Sequence, residues 1–275
     1  MAKISLKKGI LDVVLYIIVF IVAQLVVLYA GAGIWAAVKH EGFQATLQAM
    51  TAGGNPVLLA ITTVFSSIIT LIVFLKAKWV VLTRDYLLSK PWFILLWVAL
   101  FTLGAIIPLE FLYEHLGLEM DENTGKLFEG LMKEPWGYVA VGILAPLTEE
   151  IVFRGAILRS LLDMMSKKNH WVAIMISAAM FGLAHGNTAQ FVNALLMGLL
   201  LGWMYYRTKS LVPGILMHWV NNTMAYILAN LVPQSDGKLI DLFGGNEQTV
   251  YYAVGFSLCI LIPSFIQMII RLKKA

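Results

Sequence analysis

Six polar side chains that can do chemistry interrupt long apolar stretches in the second half of the sequence. They are Glu149, Glu150, Arg154, His185, His218 and Asn222. Carboxylates and imidazoles can take a proton from water and pass it on, and imidazole and amide N–H groups can stabilise an oxyanion. Ionisable groups are costly to place inside a membrane span, and there they mark functional sites by default. These residues are therefore the first candidates for a site.

The carboxylates and the arginine lie together in one apolar run. At 100° per residue, Glu150 and Arg154 form an i,i+4 pair about 40° apart, with the acid before the base, which is the favourable order. Glu149 points about 100° away from Glu150. We therefore expect Glu150 and Arg154 to neutralise each other in a supporting role, while Glu149 meets groups on other helices. The alternative is a structural ion cluster that locks the helices together.

The two histidines lie on separate apolar runs further along the chain. Phe181 and His185 are one helical turn apart, and so are His218 and Asn222. Taken alone, His185 could be a hydrogen-bonded packing residue, and His218 with Asn222 could be polar contacts between helices. Because the polar groups occur on three runs close in sequence, a shared site is the stronger interpretation.

The amino-acid composition indicates which class of protein holds these residues in place. Of the 275 residues, 60% are apolar and 13% are charged, and the mean hydropathy is +0.81. Soluble domains carry about 45–50% apolar and about 25% charged residues. A soluble enzyme, a disordered chain and a nucleic-acid binder are therefore excluded. The single cysteine, Cys259, excludes a disulfide framework and a multi-cysteine metal site. The sequence predicts an all-α polytopic membrane bundle.

Eight apolar runs are candidates to cross about 30 Å of hydrocarbon. They lie near residues 9–38, 56–75, 91–113, 136–159, 171–186, 189–206, 211–232 and 249–270. With both termini cytoplasmic, 15 of the 20 Lys and Arg residues fall on the inner side and four on the outer side, which agrees with the positive-inside rule. We predict a single membrane domain over 1–275, with 136–225 as its catalytic core.

Two features of these runs leave alternatives open. The fifth and sixth runs are short, so they are either two spans or one re-entrant element. The sixth contains Gly198 and Gly202, a pair of small residues that allows helices to approach closely. That face either packs against the site or forms a dimer contact.

The motifs resemble those of the CPBP family of intramembrane proteases, which includes the Rce1-type CAAX prenyl endopeptidases and the bacterial Abi proteins. The family pattern is Glu-Glu-x-x-x-Arg, then Phe-x-x-x-His, then His-x-x-x-Asn or Asp. Here the three motifs are Glu149-Glu150…Arg154, Phe181…His185 and His218…Asn222, in that order and each on its own predicted span. The resemblance covers about residues 136–225 and implies a glutamate-dependent protease without an obligatory metal or other cofactor.

The chemistry of the residues agrees with that implication. No serine or cysteine is visibly paired with a base, so water is the natural attacking group. A carboxylate can accept a proton from water, which makes Glu149 the candidate general base. His185 would orient the water and shuttle its proton, and His218 with Asn222 would stabilise the tetrahedral intermediate. The partners expected are a membrane-associated peptide or protein substrate and the lipid bilayer, with no nucleic acid.

Three alternatives remain at this point. Glu149, His185 and His218 could bind a catalytic zinc ion with water in the fourth position. The polar cluster could instead serve a proton-coupled transporter, although the polar groups lie in only one half of the chain. The chain could also be a non-catalytic membrane immunity or regulatory protein, since Abi-type relatives carry that association. For each of these functions, we expect an integral membrane protein of the bacterial inner membrane.

Overall fold

The computed structural model describes residues 5–118, 120–231 and 238–272, and within those ranges it contains helices and no β-strand. The predicted all-α membrane fold is therefore confirmed. The described residues form two compact units. The first comprises the residues up to Val81 and those from Met120 to Trp203, and the second comprises the remainder.

The helices, numbered in chain order, occupy most of both units. They are α1 (Leu6–Lys39), α2 (Phe43–Thr51), α3 (Pro56–Lys76), α4 (Asp85–Leu88), α5 (Trp92–His115), α6 (Glu122–Lys133), α7 (135–164), α8 (His170–Leu183), α9 (Thr188–Thr208), α10 (Val212–Leu231), α11 (Leu239–Leu242) and α12 (Glu247–Arg271). In the first unit lie α1 to α3, α6 to α8 and most of α9. In the second unit lie α4, α5, the end of α9 and α10 to α12.

Helix α3 begins where the sequence places a strong start signal. The side chain of Asn55 accepts a hydrogen bond from the Leu58 backbone N–H at 3.1 Å, and Pro56 occupies the first helical position, where its missing N–H costs nothing. Gly31 of α1 lets α1 and α3 approach closely, because a Cβ there would overlap the Thr62 methyl group. The two helices of this pair therefore form one wall of the first unit.

Helix α7 is continuous but not uniformly α-helical. It contains two π-helical segments, Tyr138–Leu144 and Glu150–Leu158, on either side of the α-helical segment Ala145–Glu149. The backbone N–H of Ala145 donates to the carbonyl of Ala140, five residues earlier. The sequence interpretation assumed a regular α-helix here, so the widened turns are a feature that it missed.

Five helices are long and apolar enough to cross a membrane by length and composition, among the residues that the structure describes. These are α1, α3, α5, α9 and α12. The other three predicted runs coincide with α7, α8 and α10, which are not among these five helices. The count of eight spans, the cytoplasmic termini and the single-domain assignment stay predictions.

The fifth and sixth runs are two separate helices, α8 and α9, joined by residues 184–187 with Gly186 at a φ of +75°. The glycine face of α9 packs inside the first unit. A Cβ on Gly198 would lie 2.9 Å from the Ala178 Cβ of α8, and one on Gly202 would lie 2.9 Å from Ile174. Of the two alternatives for this face, packing against the motif-bearing helices is the one that the structure shows.

Candidate active site

The candidate site in the first unit is organised around a buried ion pair on α7. Arg154 Nη1 donates to Glu150 Oε1 at 2.8 Å, and the exposed fractions of the two residues are 1% and 0%. The i,i+4 spacing predicted this pair, and it is present. A buried pair needs further partners to offset its desolvation cost. Arg154 obtains two, because its Nη2 donates to the Gly198 carbonyl at 3.4 Å and its guanidinium lies 4.5 Å from the centre of the Phe181 ring.

The Phe181 ring connects this ion pair to the second motif. The ring also makes an edge-on contact with the His185 ring, with the ring centres 4.9 Å apart. His185 Nδ1 lies 2.9 Å from the Phe181 carbonyl oxygen. A carbonyl oxygen can only accept, so Nδ1 carries the proton and Nε2 is the acceptor nitrogen of the neutral ring. The structure therefore brings Glu150, Arg154, Phe181 and His185 into one connected group.

Glu149 faces a different direction from its neighbour, as the 100° step predicts. It is half-buried and lines a cavity of about 240 Å³ between α1, α3 and α7. Six hydroxyl-bearing residues line the same cavity. They are Thr62, Thr63, Ser66, Ser67, Thr70 and Thr148. Glu149 is the only charged residue of the lining, so the acid that the sequence singled out lies at a polar cavity.

The hydroxyl-bearing face of α3 was missed by the sequence analysis. Thr62, Ser66 and Thr70 recur every four residues, and Thr63 and Ser67 lie beside them, so all five fall on one face of a helix. This spacing is the feature of the sequence from which the hydroxyl-bearing face could have been predicted. A hydropathy average hides it, because Ser and Thr lower the mean of an apolar span only slightly.

The third motif lies in the second unit, on α10. His218 is buried, with an exposed fraction of 3%, and Asn222 lies one turn further along the same helical face. The Asn222 side-chain oxygen accepts a hydrogen bond from Asn221 Nδ2 at 3.2 Å. The convergence of His218 and Asn222 with Glu149 and His185 stays a prediction.

A metal-binding group was one of the alternatives predicted for these residues. Across residues 5–118, 120–231 and 238–272, no three His, Cys, Asp or Glu side chains form a group that could hold a metal ion. The zinc site built from Glu149, His185 and His218 stays a prediction, and metal analysis of the purified protein tests it.

Comparison with known proteins places the site in a family context. Residues 132–224 match the model of the family "Type II CAAX prenyl endopeptidase Rce1-like". The chain is 28% identical over 153 residues to "Putative membrane peptidase YdiL" of Bacillus subtilis, covering 54% of this chain and 61% of that protein. It is 29% identical over 150 residues to "Membrane-embedded CAAX protease MroQ" of Staphylococcus aureus, covering 53% and 60%. No solved structure matches.

These matches confirm the family resemblance drawn from the motifs. The matched segment contains all three motifs, from Glu149 to Asn222. The alignments span about three-fifths of the length of the two curated relatives. The remaining parts of the relatives are not matched, so the activity of this chain is a proposal.

Proposed function

With residues 132–224 similar to Rce1-like endopeptidases as the premise, we propose that this chain is an intramembrane endopeptidase. Its substrate is a membrane-associated peptide or protein, and the attacking group is a water molecule activated by Glu149. The observation that carries the proposal is that two adjacent carboxylates have different surroundings. Glu150 is paired with Arg154, whereas Glu149 lines a polar cavity.

The proposed reaction begins with the transfer of a proton from water to Glu149. The hydroxide oxygen then bonds to the carbonyl carbon of the scissile peptide, and the carbonyl oxygen takes the negative charge. His218 and Asn222 donate hydrogen bonds to that oxyanion; loss of one such donor typically lowers the rate about 10²–10³-fold. The carbon–nitrogen bond then breaks, and the proton held by Glu149 passes to the leaving amine.

His185 has a supporting role that its hydrogen bond suits. Because Nδ1 donates to the Phe181 carbonyl, Nε2 has a lone pair that can accept a proton or hold the attacking water. We propose that His185 orients the water beside Glu149 and relays its proton. Glu150 and Arg154 hold α7, and therefore Glu149, in position.

Substitution of Glu149 tests the proposal most directly. We expect Glu149→Gln to lose at least about 10²-fold in proteolytic rate while retaining the wild-type melting temperature, because glutamine keeps the shape but cannot accept the proton. Glu122→Gln is the matched control, since Glu122 is an exposed glutamate of α6. The measurement is mass spectrometry of membrane peptides that accumulate in cells carrying each variant and the wild type. Identical peptide sets for Glu149→Gln and wild type would refute the proposal.

A further inference from the structure

The cavity beside Glu149 has walls that combine hydrogen-bond acceptors with apolar packing. Thr62, Thr63, Ser66 and Thr70 each donate their hydroxyl proton to a carbonyl of α3 itself, at 2.8–3.0 Å. Their oxygen lone pairs are then left as acceptors along the cavity wall. Phe20, Leu28 and Leu59 supply apolar surface to the same cavity. The wall also includes the side-chain amide of Gln24, which can donate as well as accept. A wall of this kind suits a small ligand that both donates and accepts hydrogen bonds.

Thr148 supplies an independent observation on α7. Its exposed fraction is 3%, and its hydroxyl has no hydrogen-bond partner among the residues that the structure describes. A buried hydroxyl without a partner destabilises the folded state, because it has lost its hydrogen bonds to water. Thr148 lines the cavity and immediately precedes Glu149. The cavity wall next to Glu149 therefore includes a residue whose buried hydroxyl has no protein partner in the described part of the chain.

Size and polarity indicate which ligand this is. Water occupies about 30 Å³ in the liquid and enters cavities that offer two to four polar partners, whereas purely apolar cavities stay dry. A volume of about 240 Å³ with six hydroxyl-bearing residues and one carboxylate satisfies both conditions.

We propose that this cavity is the water chamber of the site. The hydroxyl-bearing face of α3 holds water within the membrane span, and the Thr148 hydroxyl positions the water molecule that Glu149 activates. The assignment of a reacting water rests on the proposed function, whereas the hydration of the cavity does not. Thr148 is a positioning residue, because it acts through the water and Glu149.

Thiol labelling tests the hydration of the cavity without any need for activity. Cys259, the only cysteine of the chain, is replaced by serine, and a single cysteine is then introduced by Ser67→Cys or, as the control, by Ile68→Cys. Ser67 lines the cavity, whereas Ile68 follows it in sequence, does not line the cavity and is exposed on the outer surface of α3. Both variants are reconstituted in lipid nanodiscs and treated with a small water-soluble thiosulfonate.

The thiolate is the reacting form of cysteine, and it forms only where water is present. We expect the cysteine of Ser67→Cys to react about tenfold faster, or more, than that of Ile68→Cys. Equal rates, or a slower reaction of Ser67→Cys, would overturn the proposal. Because this readout is independent of peptide hydrolysis, it separates failure of the water chamber from failure of the proposed function.

A second measurement tests the role of Thr148. Thr148→Val removes the hydroxyl at constant shape, and Thr148→Ser retains it. We expect Thr148→Val to lower kcat roughly 10- to 100-fold with KM unchanged, since a mispositioned water is costly to the rate. Thr148→Ser should keep most of the activity. Because Thr148→Val would lose only a hydrogen bond to water, the melting temperature should stay close to that of the wild type. Wild-type kcat in Thr148→Val, or equal losses in both variants, would contradict the positioning role.

Discussion

At the scale of single residues, Arg154 forms its salt bridge with Glu150, the second of the two adjacent glutamates. Its charge is balanced by Glu150, and its remaining contacts are the Gly198 carbonyl and the face of Phe181. All of these groups are buried away from water. Removal of either charge would therefore leave the other charge buried without a partner of opposite sign.

The ion pair leads to a prediction about stability. Glu150→Gln or Arg154→Met alone leaves an uncompensated buried charge, and we expect each to lower the free energy of unfolding by about 3–5 kcal/mol. The double variant Glu150→Gln, Arg154→Met should recover most of that loss, because no charge stays buried. Thermal unfolding in detergent measures the effect. The exposed pair of Glu122 and Lys126 is the control, and Lys126→Gln should change stability by at most about 1 kcal/mol. A double variant as unstable as the sum of the single ones would contradict this account.

Metal dependence is a second prediction at this scale. If Glu149 activates water as a base, chelation should leave the rate of proteolysis unchanged, and the purified protein should contain less than one equivalent of zinc. If Glu149, His185 and His218 bind zinc instead, chelation should abolish activity and stoichiometric zinc should restore it, because zinc lowers the pKa of its bound water to about 7. Elemental analysis together with the chelator assay distinguishes the two mechanisms.

At the scale of helices, the sequence predicted where most helices lie along the chain, but it did not predict the hydrogen-bonding pattern inside α7. The motif residues lie on α7, α8 and α10 as expected, except that His185 lies two residues beyond the end of α8, in the connection to α9. Apolar runs and their interruptions are visible in composition, whereas the exact end of a helix is not. The π-helical segments of α7 could not be predicted in this way, since an i→i+5 turn carries no periodic signal of its own. Segments of this kind are frequent at functional sites, and here they flank Glu149. The hydroxyl-bearing face of α3 was visible as spacing and was overlooked.

The contact between α9 and α8 gives a prediction with a matched control. A Cβ at Gly198 would lie 3.0 Å from the Ala178 Cα and 3.3 Å from Arg154 Nη2. We expect Gly198→Ala to destabilise the protein by about 1–3 kcal/mol, because the backbone of α8 must move away. Gly255 of α12 has nothing within 4 Å of its virtual Cβ, so Gly255→Ala should stabilise its helix by about 0.5–1 kcal/mol. An unchanged or higher melting temperature of Gly198→Ala would show that α9 does not pack against α8 in this way.

At the scale of the whole molecule, the polar residues that suggested a function also weaken the evidence for membrane insertion. Among the described residues, α7, α8 and α10, which coincide with the three motif-bearing runs, are not among the five helices that meet the length and composition of a span. Helix α8 has 14 residues and is about 21 Å long at 1.5 Å per residue, which is less than the hydrocarbon thickness of about 30 Å. Sequence composition therefore identifies the membrane class, but the number of crossings depends on how the short polar helices are sheltered by their neighbours.

The number of crossings has a consequence that can be measured. Eight spans place both termini on one side of the membrane, whereas five would place them on opposite sides. The 15-to-4 distribution of Lys and Arg favours eight, because positively charged segments are retained in the cytoplasm. We expect a fluorescent reporter fused after residue 275 and another fused before residue 1 to be bright in the cytoplasm, while alkaline phosphatase inserted in the 40–42 connection is active outside. Active phosphatase at the carboxyl terminus would require an odd number of crossings, and α7, α8 and α10 could not then all span the membrane.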